Sequence, residues 1–383
     1  MPKISRWALG GTLAMVSLGA FAETKVTSAI VVGYVFTQNI ALEAGEIDAR
    51  RLNRINYAFA NIQDGRMVTG FAQDAKNFAS LRELKRQNPS LQVLVSVGGW
   101  LWSTNFSDVS LTLTSRKVFV QSVIDLLQKY ELDGLDVDWE YPGMTGAGHP
   151  FREQDKENFT SLLKELRQRF DLETKRTHRR LYLSIAAGAS EEYLDHVEMR
   201  KVQRYVDTIN LMAYDYYEPG SDKITGHHAP LFASDADPKR ISGDGSVNAL
   251  EQAGVPAAKI LLGIPFYGHV WSEVDDVNHG LFQRGEMASA GYAPYTLITT
   301  TMLGHGFTRY WDPVASVPYL YSSDKKVFVS YEDSESLAAK CNYVLTMKLG
   351  GVMFWDYSGD PTGTLLKTID QSLHDAADRG SEQ

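Results

Sequence analysis

The sequence predicts an α/β fold: a (β/α)8 TIM barrel with a small α+β insertion between its seventh strand and seventh helix. Three observations carry this. Eight short, mostly apolar runs rich in β-branched residues recur along the chain. Helical stretches lie between them, and about sixty residues after the seventh run break the alternation. A doubly wound open sheet uses the same alternation; the count of eight favours the barrel.

The strands are expected at 29–35, 54–60, 92–97, 134–138, 182–187, 208–212, 259–264 and 351–355. Each is short and apolar, as a strand covered on both faces must be. The helix over 74–87 places Phe78, Leu81 and Leu84 at helical spacing. The helix over 115–130 repeats Val118, Phe119, Val123, Leu126 and Leu127, with Ser115 as its N-cap. Helices over 153–170, 247–253, 334–348 and 362–373 follow the same scheme, and Gly243-Asp244-Gly245 reads as a turn. The break runs over 269–329, with β-like runs at 295–300 and 326–330. A structureless loop of that length is uncommon inside a compact domain, so a folded insertion is expected.

The chain has 383 residues, 44% hydrophobic and 22% charged, which excludes a disordered class. Its 38 Lys and Arg stand against 47 Asp and Glu, a net charge of −9. An acidic chain lacks the dense cations that grip nucleic acid. The one cysteine, Cys341, excludes an intrachain disulfide and is expected to be a small buried hydrophobe. Residues 1–22 read as a secretory signal peptide: Lys3 and Arg6, an uncharged apolar run from Trp7, then Ala20-Phe21-Ala22 before Glu23. Residues 23–383 are expected to form one (β/α)8 domain that includes the insertion. A secreted protein, extracellular or periplasmic, is expected, monomeric and free of the membrane after cleavage.

The chemistry concentrates at the end of the fourth strand, in Asp133-Gly134-Leu135-Asp136-Val137-Asp138-Trp139-Glu140-Tyr141-Pro142. Strand side chains alternate faces with period two. Asp136, Asp138 and Glu140 therefore share a face, and Leu135 and Val137 take the other. The apolar pair suits the outer helices, so the acids face the barrel axis. Three carboxylates stacked there cannot all ionise cheaply, so at least one should carry a raised pKa. A carboxylic acid protonated near neutral pH is what a general acid requires. Glu140, nearest the C-terminal face where such barrels hold their sites, is the expected proton donor. A divalent-metal site is the alternative, although a flat row on one strand offers only one direction of ligation.

The pattern Asp-Gly-x-Asp-x-Asp-x-Glu, met by Asp133, Gly134, Asp136, Asp138 and Glu140, resembles the signature of glycoside hydrolase family 18, the chitinases. Other segments resemble family marks in the same order. They are Ser96-Val97-Gly98-Gly99-Trp100, Met212-Ala213-Tyr214-Asp215, Gly263-Ile264-Pro265-Phe266-Tyr267-Gly268 and Gly351-Val352-Met353-Phe354-Trp355. His269 departs from the pattern, standing where many members carry Arg.

The resemblance implies a substrate-assisted retaining mechanism, this family being an exception to the general two-carboxylate scheme. Glu140 would be acid and base. Asp138 would orient the acetamido group of the sugar, Asp136 would share a proton with Asp138, and Tyr214 and Asp215 would bond to the same sugar. Trp355 would floor the site; Tyr34 and Ser96 would support Asp136. Phe59, Gly98, Gly99, Trp100, Trp102, Trp139, Tyr141, Met212 and Tyr267 are the further expected substrate-binding positions. Unusual peptide bonds are implied after Ala58, Glu140 and Trp355. No cofactor is implied. His227-His228 resembles a substrate-side loop, and no third ligand follows it at metal-like spacing, so a metal site is not expected.

The activity implied is hydrolysis of β-1,4 linkages in chitin or chitooligosaccharides. An endo-β-N-acetylglucosaminidase acting on N-glycans would use the same residues. A non-catalytic lectin of this type would typically have lost the terminal acid, and Glu140 is retained.

Overall fold

A computed structural model describes residues 29–380. The predicted signal peptide lies outside the described residues. Eight parallel strands close into a barrel: Ile30–Phe36, Arg54–Gln63, Gln92–Gly98, Gly134–Asp138, Tyr182–Gly188, Thr208–Met212, Ile260–Pro265 and Gly351–Trp355. Closure is made by the first strand, which pairs in parallel with both the second and the eighth. The fold class expected from the sequence is therefore the one observed.

Alternation places the side chains as expected. Leu135 and Val137 are fully buried in the outer core shared with the helices. Burying each such side chain is worth roughly 1.5–3 kcal/mol. The inner face carries Asp136 and Asp138 together with a small apolar cluster of Val32, Tyr34, Leu261 and Met353. Deep in the barrel the Arg54 guanidinium donates to Gln92 at 2.9 Å and to Thr208 at 2.8 Å, tying the second strand to the third and sixth.

Several local expectations are corrected. The helix expected over 115–130 spans Leu113–Tyr130, and its N-cap is Thr112, not Ser115. Ser115 is the return half of a capping box, its hydroxyl accepting from the Thr112 backbone N–H. Gly243-Asp244-Gly245 is not a free turn but the first turn of the helix Gly243–Gln252, which Ser242 caps. The helix expected over 153–170 runs Asp155–Thr177, and the last runs Thr364–Gly380. Two short helices, Glu191–Asp195 and Met199–Val202, follow the fifth strand.

The insertion is a five-stranded antiparallel sheet. Its first strand, Tyr267–Ser272, continues directly from the seventh barrel strand, and its last in sequence is Val327–Ser330. Val270, Ala293, Ile298, Leu320 and Val329 fill its own small core. The run at 295–300, expected to be β-like, is helical across Tyr295–Leu297 and Ile298–Met302. Its β-branched residues follow Pro294 at the end of a strand, a good place to start a helix. Among the described residues no helix is long and apolar enough to cross a membrane.

Candidate active site

The C-terminal ends of the barrel strands open into a cleft of about 1390 Å³. Of the predicted site residues, Tyr34, Phe59, Gly98, Trp100, Trp102, Asp138, Glu140, Tyr141, Met212, Tyr214, Asp215, Tyr267 and Trp355 line it. Asp136, Ser96, Gly99 and Trp139 do not.

Asp136 sits one layer deeper and is wholly buried. Its carboxylate accepts four hydrogen bonds: from Tyr34 at 2.8 Å, Ser96 at 2.8 Å, Ser184 at 2.5 Å and the Asn210 amide at 3.0 Å. Strand register delivers two of these donors, because Ser96 and Ser184 lie directly beside Asp136 on the neighbouring strands. Asp138, one pleat higher, is also buried. It makes no side-chain hydrogen bond among the described residues, and its Oδ1 is buried without a partner. The proton-sharing contact with Asp136 that the resemblance implied is therefore not formed here. Asp136 is occupied by its own donors.

All three acids are pushed above their ordinary values. Burial is the largest cause for Asp136, and its hydrogen bonds from Ser184, Tyr34 and Ser96 oppose it. Burial also raises Asp138, and the negative charges of Glu140 and Asp136 add to it. Glu140 is pushed up to about 7, first by desolvation and further by the charge of Asp215, with the neighbouring Tyr141 hydroxyl pulling the other way. The Asp138–Glu140 pair thus holds a proton near neutral pH. Its backbone is anchored from below: the Ser103 hydroxyl accepts from Glu140 N at 3.0 Å and shares its one hydrogen between the carbonyls of Gly99 at 2.9 Å and Asp138 at 3.2 Å.

The glycine pair at the end of the third strand has a steric reason. At Gly98, φ is +109° and a Cβ would fall 2.1 Å from the Asp138 carbonyl oxygen. At Gly99, φ is +77° and a Cβ would fall 2.5 Å from the Phe59 ring. Gly99 therefore supports the cleft wall from behind.

Trp355 closes the cleft floor, its ring centroid 5.5 Å from Phe59, 5.6 Å from Phe36 and 5.7 Å from Tyr34. Trp100 is half exposed and meets Tyr141 edge-on at 6.5 Å. Trp102 packs on Phe71 at 4.9 Å. Trp139 is corrected: alternation turns it away from the acids, and it is buried among helices, stacked on Phe106 at 5.2 Å and edge-on to Phe159 at 5.5 Å. The peptide bonds before Phe59, Tyr141 and Asp356 are cis.

After the sixth strand, Tyr214 and Asp215 both reach the cleft although they are consecutive. The strand has ended at Met212, and Asp215 takes a left-handed φ of 59°. Asp215 Oδ1 accepts from the Tyr267 hydroxyl at 2.7 Å and lies 2.8 Å from His269 Nε2. Desolvation raises this carboxyl, but His228 and His269 outweigh it and hold it well below the usual range. His228 stands 3.6 Å away, outside hydrogen-bond reach, and burial holds its own pKa down to about 4. His269, raised by Asp215 against its own burial, therefore carries the larger share.

His227-His228 does not line the cleft as the resemblance implied. His227 Nε2 bonds Asp312 at 3.1 Å, and the Ser330 hydroxyl accepts from His228 N at 2.9 Å, so both hold this loop to the insertion. In space, though not in sequence, His228 has two further groups beside it that could act as ligands. Asp215, His228 and His269 each bring one ligand atom within 4.8 Å of the others. Sequence reasoning missed Phe36, Phe71, Tyr193, Lys239 and Tyr292, which also line the cleft. Phe36 was findable: it follows Tyr34 by two, on the same face of the strand. Tyr292 was not, because only the insertion sheet stacks it on Tyr267, at 4.7 Å.

Comparison with known proteins gives this geometry its context. The model of glycosyl hydrolases family 18 matches residues 30–360. Chitinase A1 of Niallia circulans is 35% identical over 389 residues, covering 86% of this chain; the chain spans 56% of that relative's length. A solved family 18 N-acetylglucosaminidase from Paenibacillus barengoltzii is 41% identical, with a TM-score of 0.83 over 90% of this chain and 99% of its own. A class V chitinase from Nicotiana tobaccum, solved in complex with NAG4, is 30% identical, with a TM-score of 0.82 over 90% and 99% of the two chains. With five motifs at the strand ends, a closed barrel and a family match across most of its length, this chain belongs to glycoside hydrolase family 18.

Proposed function

We propose that this protein is a chitinase that hydrolyses β-1,4 linkages in chitin or chitooligosaccharides with retention, using the substrate's own acetamido group. One observation carries the reading. Asp138 is a buried carboxyl with an unpartnered oxygen, beside a Glu140 held near neutrality, on a cleft floored by Trp355. A buried acceptor without a donor is costly and calls for one from the ligand. An acetamido N–H supplies it.

Glu140, protonated, donates to the glycosidic oxygen. The acetamido carbonyl oxygen of the sugar attacks its own anomeric carbon, the glycosidic C–O bond breaks, and an oxazolinium ion forms. Asp138 accepts the acetamido N–H, orients the group and offsets the positive charge. The Tyr214 hydroxyl holds the acetamido oxygen, and Asp215 bonds to the same ring. Glu140, now a carboxylate, takes a proton from the incoming water, which opens the oxazolinium ion and restores the starting acid. The apolar face of the pyranose stacks on Trp355. Asp136, saturated by four donors, positions the strand and the charge beneath Asp138.

The composition of residues 1–22 supports export, and N-terminal sequencing of protein secreted by its host should begin at Glu23. A second reading, release of single N-acetylglucosamine units, is suggested by the likeness to the N-acetylglucosaminidase at 41% identity. Product analysis on chitin hexamer beside a high-mannose glycopeptide separates the readings. Di- and trimers from the hexamer support the chitinase. Monomer alone supports the second reading. Cleavage of only the glycopeptide overturns both.

A further inference from the structure

The cluster of Asp215, His228 and His269 contains two features that the sugar-binding reading does not use. The first is His228, which is fully buried with both ring nitrogens lacking any partner. A buried imidazole left so is costly and calls for a ligand. The second is a position between two side chains that a cation must fill. His269 Nδ1 lies 3.3 Å from the Gly291 carbonyl oxygen, which can only accept, so Nδ1 carries the hydrogen. In a neutral ring Nε2 then presents a lone pair, 2.8 Å from the Asp215 carboxylate. Two lone pairs at that distance need a cation between them, either a proton or a metal ion.

The arrangement has the marks of a metal site. A ligating histidine usually donates its other N–H to a backbone carbonyl, as His269 does to Gly291. Zinc binds histidine nitrogen and carboxylate oxygen at about 2.0–2.1 Å, which sets tetrahedral ligand separations near 3.3 Å. The distances from Asp215 Oδ1 to His269 Nε2 and His228 Nδ1, 2.8 and 3.6 Å, straddle that value. Asp215 keeps 41% of its side chain accessible, so the cleft is an entry path and leaves a coordination position open.

We propose that Asp215, His228 and His269 bind a divalent first-row transition metal of the zinc type, and that the bound ion competes with the sugar for Asp215. The competition rests on the sugar-binding reading above; the binding does not. The ion is thus an inhibitor supplied from outside, and the hydrolytic residues Glu140 and Asp138 work without it.

Full-length protein freed of metal is titrated with Zn²⁺ by calorimetry and with Co²⁺ by visible absorption. The expected result is saturable binding of about one ion per chain, with the ligand-field bands of low-coordinate Co²⁺ that Zn²⁺ then displaces. His269→Arg, which sets a fixed cation against Asp215, should weaken binding by more than about 100-fold, beyond the range for loss of an outer-shell partner. His228→Ala should do the same, each variant being first checked for a native circular dichroism spectrum. No saturable binding by the unaltered protein, or undiminished binding by folded His269→Arg, overturns the site. Zn²⁺ should raise KM for a chromogenic chitobioside while leaving kcat nearly constant; KM unmoved at saturating Zn²⁺ overturns the competition. A protein that binds Zn²⁺ yet hydrolyses no chitooligosaccharide overturns the proposed activity and leaves the site standing.

Discussion

On the fourth barrel strand, Asp136, Asp138 and Glu140 all have their carboxyls pushed up, whereas Asp215, just past the sixth strand in the same cleft, is held down. Both groups feel desolvation. What differs is the company. Asp138 and Glu140 have each other and further acids, while Asp215 has His269 and the Tyr267 hydroxyl. The same side-chain chemistry becomes a proton store in one place and a fixed anion in the other. Within the row a finer contrast holds: Asp136 is saturated with donors, and Asp138 has none. Burial alone therefore does not assign a carboxyl its role; the supply of donors and cations does.

The largest test of that contrast is Glu140→Gln, which keeps the shape and removes the proton. Hydrolysis of a chromogenic chitobioside should fall by about 10²–10⁴-fold, the usual range for a general acid, while oligosaccharide binding persists. Turnover within about tenfold of the unaltered enzyme would take Glu140 out of the acid role.

The next effect is in pH. In the proposed mechanism Glu140 acts as the protonated acid, so the rate should fall by about tenfold per pH unit above about 7. Stability carries the same sign. The folded pKa of about 7 lies above the ordinary 4.5, so the folded state binds the proton more tightly. That stabilisation is full below about 4.5 and is lost as pH rises through about 7. Glu140→Gln should accordingly gain a few degrees of Tm over the unaltered protein at pH 8, and the gain should vanish near pH 4.5. A Tm difference that is flat in pH would mean the carboxyl is already ionised in the fold.

The smallest effect distinguishes Asp136 from Asp138. Ser96→Ala removes one of four donors to Asp136 and should cost about 1–3 kcal/mol of stability in denaturant titration, with the position of the pH limb unmoved. A shift of that limb would show that the deeper carboxyl sets the titration of the pair above it.

Much of this was legible in order along the chain. The period-two row from Asp136 to Glu140 states which faces the side chains take, because pleating forces alternation whatever the surroundings. The same rule exiles Trp139 to the helices, and a reading that followed it strictly would have left that residue out of the cleft. Ser115 and Gly243 were misplaced because a cap is a hydrogen bond to a particular N–H, and candidates a few residues apart look alike until the backbone turns. Tyr292 and Lys239 carried no signal, and neither did the meeting of His228 with Asp215 and His269, since loops and the insertion bring these residues together from far along the chain.

By itself the sequence determined the class of fold and the strand that bears the acids, since these follow from local periodicity and spacing, and its motifs carried the resemblance to the family. Tertiary structure alone decided that Asp136 is saturated while Asp138 is bare, and that two histidines from different segments converge on Asp215. Desolvation and hydrogen-bond supply depend on which neighbours arrive in three dimensions, and no spacing along one strand encodes them.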